Sequence, residues 1–179
     1  LREPVHLEDP RTIGPVHFIA IGGAGMSGVA RAYAELGAEV SGSDQVNSTR
    51  LESLSAMGVR TWVGHDPSHV HGARTVVVSS AIHDDNPELV EARRLGLRIW
   101  HRSAALAALM LGRQGVSVAG THGKTTTSAI IASILTDAGM DPSYVIGSPL
   151  ATSGRSAHLG RGDAFVVEAD ESDGSFLQY

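Results

Sequence analysis

Two glycine-rich segments of this 179-residue chain have the composition of phosphate-binding loops, and one of them, GTHGKTTT, covers residues 120–127. Backbone amides between Gly120 and Gly123 can surround phosphate oxygens, and Lys124 can add a positive charge. The spacing is shorter than in the usual P-loop, which would place a glycine at Val118. The alternative is a glycine turn before a capped helix, but a lysine in the first helical turn opposes the helix dipole unless an anion lies there. The segment therefore predicts triphosphate binding.

Oxygen ligands of the kind that magnesium prefers occur near this loop and at the end of a later apolar run. Thr125, or alternatively Thr126, can place a hydroxyl on a magnesium ion. The segment EADESD, residues 168–173, ends the apolar run 164–167, and α/β folds bind ligands at this end of their strands. Like charges this crowded repel each other without a cation, so at least one acid is predicted to bind the metal. A solvated acidic turn is the alternative.

The other glycine-rich segment is IGGAGMSG at residues 21–28, here called the first loop because it comes earlier in the chain; GTHGKTTT is called the second loop. The first loop contains G-x-G-x-x-G between a predicted strand and a predicted helix. The first glycine, Gly23, permits a tight turn, Gly25 lets the backbone approach a phosphate, and Gly28 allows close helix–strand packing. Asp44 follows the next predicted strand, where an acid can accept hydrogen bonds from a ribose. The pattern predicts a nucleotide or dinucleotide site, with NAD as the usual ligand. Glycines used only for packing are the alternative.

Several histidines are weaker candidates for chemistry. His65, His69 and His71 are close in sequence, but Pro67 breaks any helix that would align the first two as metal ligands. We expect polar loop histidines here, with His65 a candidate contact for a base or ribose. His122 lies inside the second loop and could assist ATP binding, although the backbone of its neighbours could serve equally well.

The elements that position these residues alternate between short apolar runs and stretches of helical period, which predicts an α/β fold with a doubly wound parallel sheet. The helix after the first loop is expected to bury Met26, Val29, Ala30 and Tyr33. Another helix opens at Asn86-Pro87-Glu88, with a cap, a proline and an early acid. The remaining predicted helices cover 49–57 and 103–111, and the predicted strands cover 16–21, 39–43, 59–63, 75–79 and 97–100.

The pattern restarts after residues 112–115, with a strand at 116–119, the second loop and a helix. This helix is expected to share one buried face among Ile131, Ile134, Leu135 and Ala138. Further strands are predicted at 144–146 and 164–167. The chain is therefore predicted to contain a Rossmann-like domain, residues 1–112, followed by an incomplete P-loop-type ATP-binding domain, residues 113–179.

Composition excludes several classes of protein. Apolar residues make up 42% of the chain and charged residues 18%, which is typical of a globular protein. Acidic residues outnumber basic ones, 19 to 14, without a basic block, so a nucleic-acid partner is not expected. The chain has no cysteine, which rules out disulfides and thiolate metal sites. No signal peptide or apolar run of membrane-spanning length is visible, so we expect a cytoplasmic protein without a membrane partner. The sequence does not indicate its oligomeric state.

Five segments together resemble the Mur ligases of peptidoglycan synthesis: HFIAIGGAGMSGVA, VSGSD, VVVSSAI, AGTHGKTTT and EADESDGSF. The resemblance extends from about His17 to Leu177 and is closest to the branch that adds L-alanine. It implies that the first loop holds UDP-N-acetylmuramic acid rather than NAD, and that the second holds ATP with Mg²⁺. The implied reaction is phosphoryl transfer to the lactyl carboxylate, followed by attack of the alanine amine on the acyl phosphate.

The resemblance also assigns individual residues. The implied UDP-sugar site consists of Gly23, Ala24, Gly25, Met26, Ser27, Asp44, His65, Ser79, Ser80 and Ala81. The implied ATP site consists of Gly120, Thr121, His122, Gly123, Lys124, Thr125 and Thr126. Lys124 and Glu168 would be catalytic, and Thr125 and Glu168 would bind the metal.

Members of this family are longer and have a third, C-terminal domain. The chain begins with Leu and ends soon after the acidic segment, so we expect an N-terminal fragment without turnover of its own. Three alternatives stay open: the family's tripeptide-adding ligase, an NAD-dependent oxidoreductase and a non-catalytic nucleotide-sensing module.

Overall fold

The computed structural model of the protein describes residues 6–169. Its first sheet has five parallel strands in the order β3-β2-β1-β4-β5. The strands are β1 (Val16–Ile19), β2 (Val40–Asp44), β3 (Arg60–Val63), β4 (Thr75–Val78) and β5 (Arg98–His101). The helices are α1 (Ala24–Glu35), α2 (Thr49–Ala56), α3 (Pro87–Arg94) and α4 (Arg102–Leu109), with a short 3-10 helix at Pro67–Val70. The predicted doubly wound parallel sheet is confirmed, with strand ends that differ from the predicted ones by one or two residues.

The strand order reverses at β1, which pairs with β2 on one side and with β4 on the other. Open α/β sheets bind their ligands at such a switch point, outside the carboxyl ends of the strands. The first glycine loop leaves β1 at this edge, and residues 79–81 leave β4 beside it. The topology therefore places two of the predicted ligand-binding segments next to each other.

Local sequence signals explain where the helices begin. Asn86 caps α3 by accepting hydrogen bonds from the amides of Glu88 and Leu89, and Pro87 occupies the first turn. Ser48 caps α2 by accepting from the amide of Leu51. Each cap satisfies backbone donors that would otherwise have no partner inside the helix.

The second sheet has the strand order β6-β9-β7-β8, with only β8 antiparallel to its neighbour. Its strands are β6 (Gln114–Val118), β7 (Ser143–Val145), β8 (Ala157–His158) and β9 (Ala164–Glu168), and its helix is α5 (Lys124–Asp137). The predicted start of β6 at residue 116 is wrong, because Gln114 and Gly115 already pair with β9. Glycine is a poor strand former, so the sequence favoured a loop at Gly115.

The predicted buried face of α5 is also wrong in part. Ile134 is 61% exposed and Ala138 is exposed, whereas Ser128 and Ala132 are buried. Apolar residues occur on several sides of this helix, so their spacing could not identify the side that packs. The small side chains of Ser128 and Ala132 allow the helix to lie close to the sheet.

The two sheets share a hydrophobic core. One cluster of buried residues includes Val29 and Tyr33 of α1 together with Val145 and Phe165 of the second sheet. A Cβ atom on Gly28 would lie 3.1 Å from Val145 Cγ1. The third glycine of the motif therefore allows α1 to pack closely against the second sheet, rather than only against its own as expected. The division at residues 112 and 113 stays a prediction. Among residues 6–169, no helix is long and apolar enough to cross a membrane.

Candidate nucleotide-binding site

The first glycine loop and Lys124, the one residue of GTHGKTTT that does so, line a cavity of about 390 Å³ at the carboxyl edge of both sheets. Lys124 at the start of α5 and Glu168 at the end of β9 line this cavity together with the start of α1, and Arg102 and Gly147 complete its polar wall. The predicted site residues that line it are Gly23, Ala24, Gly25, Met26, Ser79, Ala81, Lys124 and Glu168. Segments separated by about a hundred residues in the chain are thus brought to one site.

The first loop is anchored by the acid that the sequence assigned to a ribose. Asp44 Oδ2 accepts a hydrogen bond from the amide of Gly22 at 2.9 Å, and Oδ1 accepts from the amide of Val46 at 3.3 Å. Gly23 precedes α1 as its N-cap. Asp44 does not line the 390 Å³ cavity, so its observed role is to hold the loop at the end of β2.

Arg102 is a site residue that the sequence reasoning missed. It is the first residue of α4, directly after β5, and thus lies at the same sheet edge as the first loop. A Cβ atom on Gly25 would lie 2.9 Å from Arg102 Nη1, so the absence of a side chain at Gly25 lets the guanidinium approach the loop backbone. Two positive groups, Arg102 and Lys124, therefore line a cavity that begins at a helix N-terminus, which favours anion binding.

A glycine turn and an internal hydrogen bond shape the second loop. Gly123 has a φ of +80° and is the N-cap of α5, a conformation that favours glycine. Lys124 Nζ donates a hydrogen bond to Gly120 O at 2.7 Å. Thr121, His122 and Thr126 are exposed. Lys124 is also the only lysine in the chain.

The predicted metal ligands lie side by side. Thr125 Oγ1 donates to Glu168 Oε2 at 3.1 Å, and Glu168 Oε1 accepts from the amide of Gly147 at 2.6 Å. A hydroxyl and a carboxylate are the oxygen donors that Mg²⁺ prefers when phosphates and water complete its shell. Among residues 6–169, no group of three or more His, Asp or Glu side chains could hold a metal. Asp170, Glu171 and Asp173 lie outside the described residues.

Comparison with known proteins identifies the family of this chain. The profile described as "Mur ligase family, catalytic domain" matches residues 15–114, which is more than half of the chain. The chain belongs to the Mur ligase family. The matched span contains the first loop, Asp44, Arg102 and all five strands of the first sheet.

Individual Mur ligases match beyond this span and include the second loop. A UDP-N-acetylmuramate–L-alanine ligase from Cutibacterium acnes is 76% identical over 179 residues, which is 100% of this chain and 38% of that protein. The chain therefore spans well under half of the length of that relative.

Solved structures of Mur ligases show the same fold. The UDP-N-acetylmuramate:L-alanyl-γ-D-glutamyl-meso-diaminopimelate ligase from Neisseria meningitides has a TM-score of 0.86 and 30% identity, over 93% of this chain and 57% of that one. The UDP-N-acetylmuramate–alanine ligase from Thermotoga maritima has a TM-score of 0.83 and 32% identity, over 88% of this chain and 37% of that one.

A second cavity, about 440 Å³, adjoins the first and shares Ala24 and Gly147 with it. Ser27, predicted to contact the UDP-sugar, lines this second cavity together with Arg31, Arg50 and Arg155. The charge of its lining is entirely positive, so the anion-binding character of the cleft extends beyond the start of α1.

The three clustered histidines contact protein side chains, and the role of His65 as a ligand contact stays a prediction. His65 Nδ1 lies 2.9 Å from Ser43 Oγ and 3.2 Å from Glu88 Oε2, and His65 does not line the 390 Å³ cavity. His69 contacts Glu88, whereas His71 contacts Glu91. His65 and His69 thus share Glu88 as a partner, whereas His71 pairs with Glu91, and the three histidines form no metal site within residues 6–169. Ser80, another predicted UDP-sugar contact, has its Oγ 3.2 Å from Nε2 of His101 and also lies outside the 390 Å³ cavity.

Proposed function

We propose that these residues form the substrate-activating half of an ATP-dependent ligase that joins L-alanine to UDP-N-acetylmuramic acid. The observation that supports this most directly is the single cavity lined by the first loop together with Lys124 and Glu168. A carboxylate and a triphosphate held at these two places would be neighbours, as phosphoryl transfer between them requires. The name of the Cutibacterium acnes relative supplies the substrates.

In this mechanism, the backbone amides at the start of α1 and the Arg102 guanidinium hold the diphosphate of the sugar nucleotide. The lactyl carboxylate then extends toward Lys124. Backbone amides of residues 120–123 hold the β- and γ-phosphates, and Lys124 leaves Gly120 O to neutralise charge on the transferring group. Thr125 and Glu168 would hold Mg²⁺, which supplies further charge neutralisation when bound. Phosphorylation turns a carboxylate oxygen into a good leaving group, so that the alanine amine can displace it.

Calorimetric titration of the chain with UDP-N-acetylmuramic acid and with NADH tests which nucleotide the first loop binds. We expect saturable binding of the UDP-sugar and none of NADH at the same concentrations. Binding of NADH in preference to the UDP-sugar would contradict the proposal and favour an oxidoreductase. Incubation with UDP-N-acetylmuramic acid, ATP and either L-alanine or the tripeptide L-alanyl-γ-D-glutamyl-meso-diaminopimelate then tests amide formation. We predict that these 179 residues alone release no product.

Glu168→Gln should reduce the magnesium dependence of ATP binding. An amide oxygen is a weaker ligand for a hard cation than a carboxylate, so we expect adding Mg²⁺ to improve ATP affinity about tenfold less than in the unmodified chain. Isothermal titration with and without Mg²⁺ measures this difference. Asp163→Asn, which removes a charge just before the opposite end of β9, is the matched control. Equal magnesium dependence in both variants would show that Glu168 does not bind the metal.

Arg102→Gln should weaken UDP-sugar binding. A charge-assisted contact to a phosphate contributes about 1.5–3 kcal/mol, so the dissociation constant should rise roughly 10- to 100-fold. Arg98→Gln is the control, because Arg98 lies in the neighbouring strand and pairs with Glu8 at 2.8 Å. If both variants bind UDP-N-acetylmuramic acid equally well, Arg102 is not part of the diphosphate site.

A further inference from the structure

Glu88 lies in the first turn of α3, but its side chain is completely buried. Its Oε2 accepts a hydrogen bond from Ser43 Oγ at 2.5 Å and lies 3.2 Å from His65 Nδ1. Its Oε1 lies 2.7 Å from His69 Nδ1. The imidazole of His17 is also fully buried, and its Nε2 lies 3.5 Å from Oε2. These five residues, here called the Glu88 cluster, connect α3 with β1, β2 and the turn that follows β3.

Burial of a carboxylate is costly unless hydrogen bonds and opposite charge compensate it. A glutamate that served only the dipole of α3 would remain in water, so its burial points to another role. Burial by itself raises the pKa of Glu88, but the neighbouring imidazoles of His17 and His69 and the Ser43 hydroxyl outweigh it and lower the pKa to about 2. The imidazoles thus face an ionised carboxylate, and within residues 6–169 no metal site competes for them.

The Glu88 cluster is connected to Asp44 through Ser43 and through the turn at Gly64. Ser43, which donates to Glu88, immediately precedes Asp44, and its carbonyl accepts from the amide of Ile21 at 2.9 Å. His65 immediately follows Gly64, whose amide donates to the Asp44 carbonyl at 2.7 Å. The Asp44 carboxylate in turn holds the amide of Gly22 in the first loop. Displacing Ser43 or the turn at Gly64 would therefore move the residue that anchors the nucleotide loop.

We propose that Glu88 is a positioning residue for nucleotide binding: its buried carboxylate holds the end of β2 and the turn at Gly64, and thereby keeps Asp44 and the first glycine loop in their binding geometry. The inference rests on the proposed function only for the identity of the nucleotide. Glu88 touches neither loop itself, so its effect passes through Ser43 and His65.

The variant Glu88→Gln tests this role because it keeps the size of the side chain and removes its charge. Glu91→Gln is a matched control, since Glu91 lies on the same helix and contacts His71 and Arg94 at the surface. Hydrogen exchange of the Gly22 and Gly64 amides, followed by NMR, measures the anchoring of Asp44 without any ligand. In Glu88→Gln we expect these amides to exchange roughly tenfold faster relative to the amides of β4, with no such change in Glu91→Gln. Uniform acceleration of all amides would indicate a purely structural role and overturn the proposal.

Binding provides the second readout, at a temperature where circular dichroism shows each variant to be folded. Glu88→Gln should raise the dissociation constant for UDP-N-acetylmuramic acid about tenfold and change that for MgATP by less than about twofold. Unchanged binding of the UDP-sugar would overturn the inference. If the unmodified chain binds NADH instead, the proposed function fails, and the same comparison with NADH still tests Glu88.

Ser43→Ala covers the case in which Glu88→Gln does not fold. It removes only the hydroxyl that donates to Glu88 next to Asp44. The expected result is a roughly threefold to tenfold loss of UDP-sugar affinity, again with faster exchange at Gly22. Normal affinity together with unchanged exchange at Gly22 would contradict the positioning role.

Discussion

Replacing Lys124 with Gln should weaken MgATP binding by roughly 10- to 100-fold, because a charge-assisted contact to the β- and γ-phosphates is lost. Binding of UDP-N-acetylmuramic acid should change much less, since the amides at the start of α1 and the Arg102 guanidinium hold its diphosphate and only its carboxylate extends toward Lys124. Isothermal titration of both nucleotides measures the two effects. Arg161→Gln, which removes a cation whose side chain is 98% exposed, controls for the change in net charge.

A spectroscopic test of the same residue is available because Lys124 is the only lysine. Lysine labelled with ¹³C reports a single side chain in NMR, and its ε-carbon signal should shift when Nζ leaves Gly120 O for a phosphate. We expect this shift on addition of MgATP and a smaller one on addition of the UDP-sugar, whose carboxylate extends toward Lys124 in the proposed mechanism. ATP binding that leaves the lysine signal unchanged, or a Lys124→Gln variant with normal affinity, would contradict the role of this loop.

Glu88 should make a large contribution to the loss of stability in acid. Its pKa is lowered from 4.5 to about 2 in the folded protein, so its stabilising contribution is fully present above about pH 4.5 and is lost as the pH falls toward 2. The difference corresponds to roughly 3 kcal/mol of unfolding free energy. The free energy of unfolding of the unmodified chain should therefore exceed that of Glu88→Gln at pH 7, and this gap should narrow by roughly 3 kcal/mol as the pH falls from 4.5 through 2.

Urea denaturation followed by tryptophan fluorescence measures this gap, because Trp62 stacks on His69 of the cluster with ring centroids 4.5 Å apart. Glu91→Gln should lose much less stability, since the partners of Glu91, His71 and Arg94, are 58% and 66% exposed and solvent screens their interaction with it. A gap between the unmodified chain and Glu88→Gln that does not change from pH 7 to pH 3 would show that the charge of Glu88 does not stabilise the fold.

Local sequence determined much of the scaffold because its signals act over a few residues. The alternation of apolar runs with helical stretches predicted the parallel sheet, and Asn86 with Pro87 predicted the start of α3. The two glycine loops were recognised because backbone approach to a phosphate requires glycines at fixed spacing next to a helix.

Tertiary structure alone decided which distant groups meet. Arg102 carries no motif, and only the strand order brings it beside Gly25. Glu88 had the sequence signature of a surface acid at a helix start, yet packing of α3 against the sheet surrounds it with Ser43 and histidines.

The sequence likewise did not determine which face of α5 is buried, since this depends on the side that packs against the sheet and not on the apolar content of the helix. In each of these cases the deciding energy comes from contacts between residues far apart in the chain, and such contacts leave no local periodicity to read.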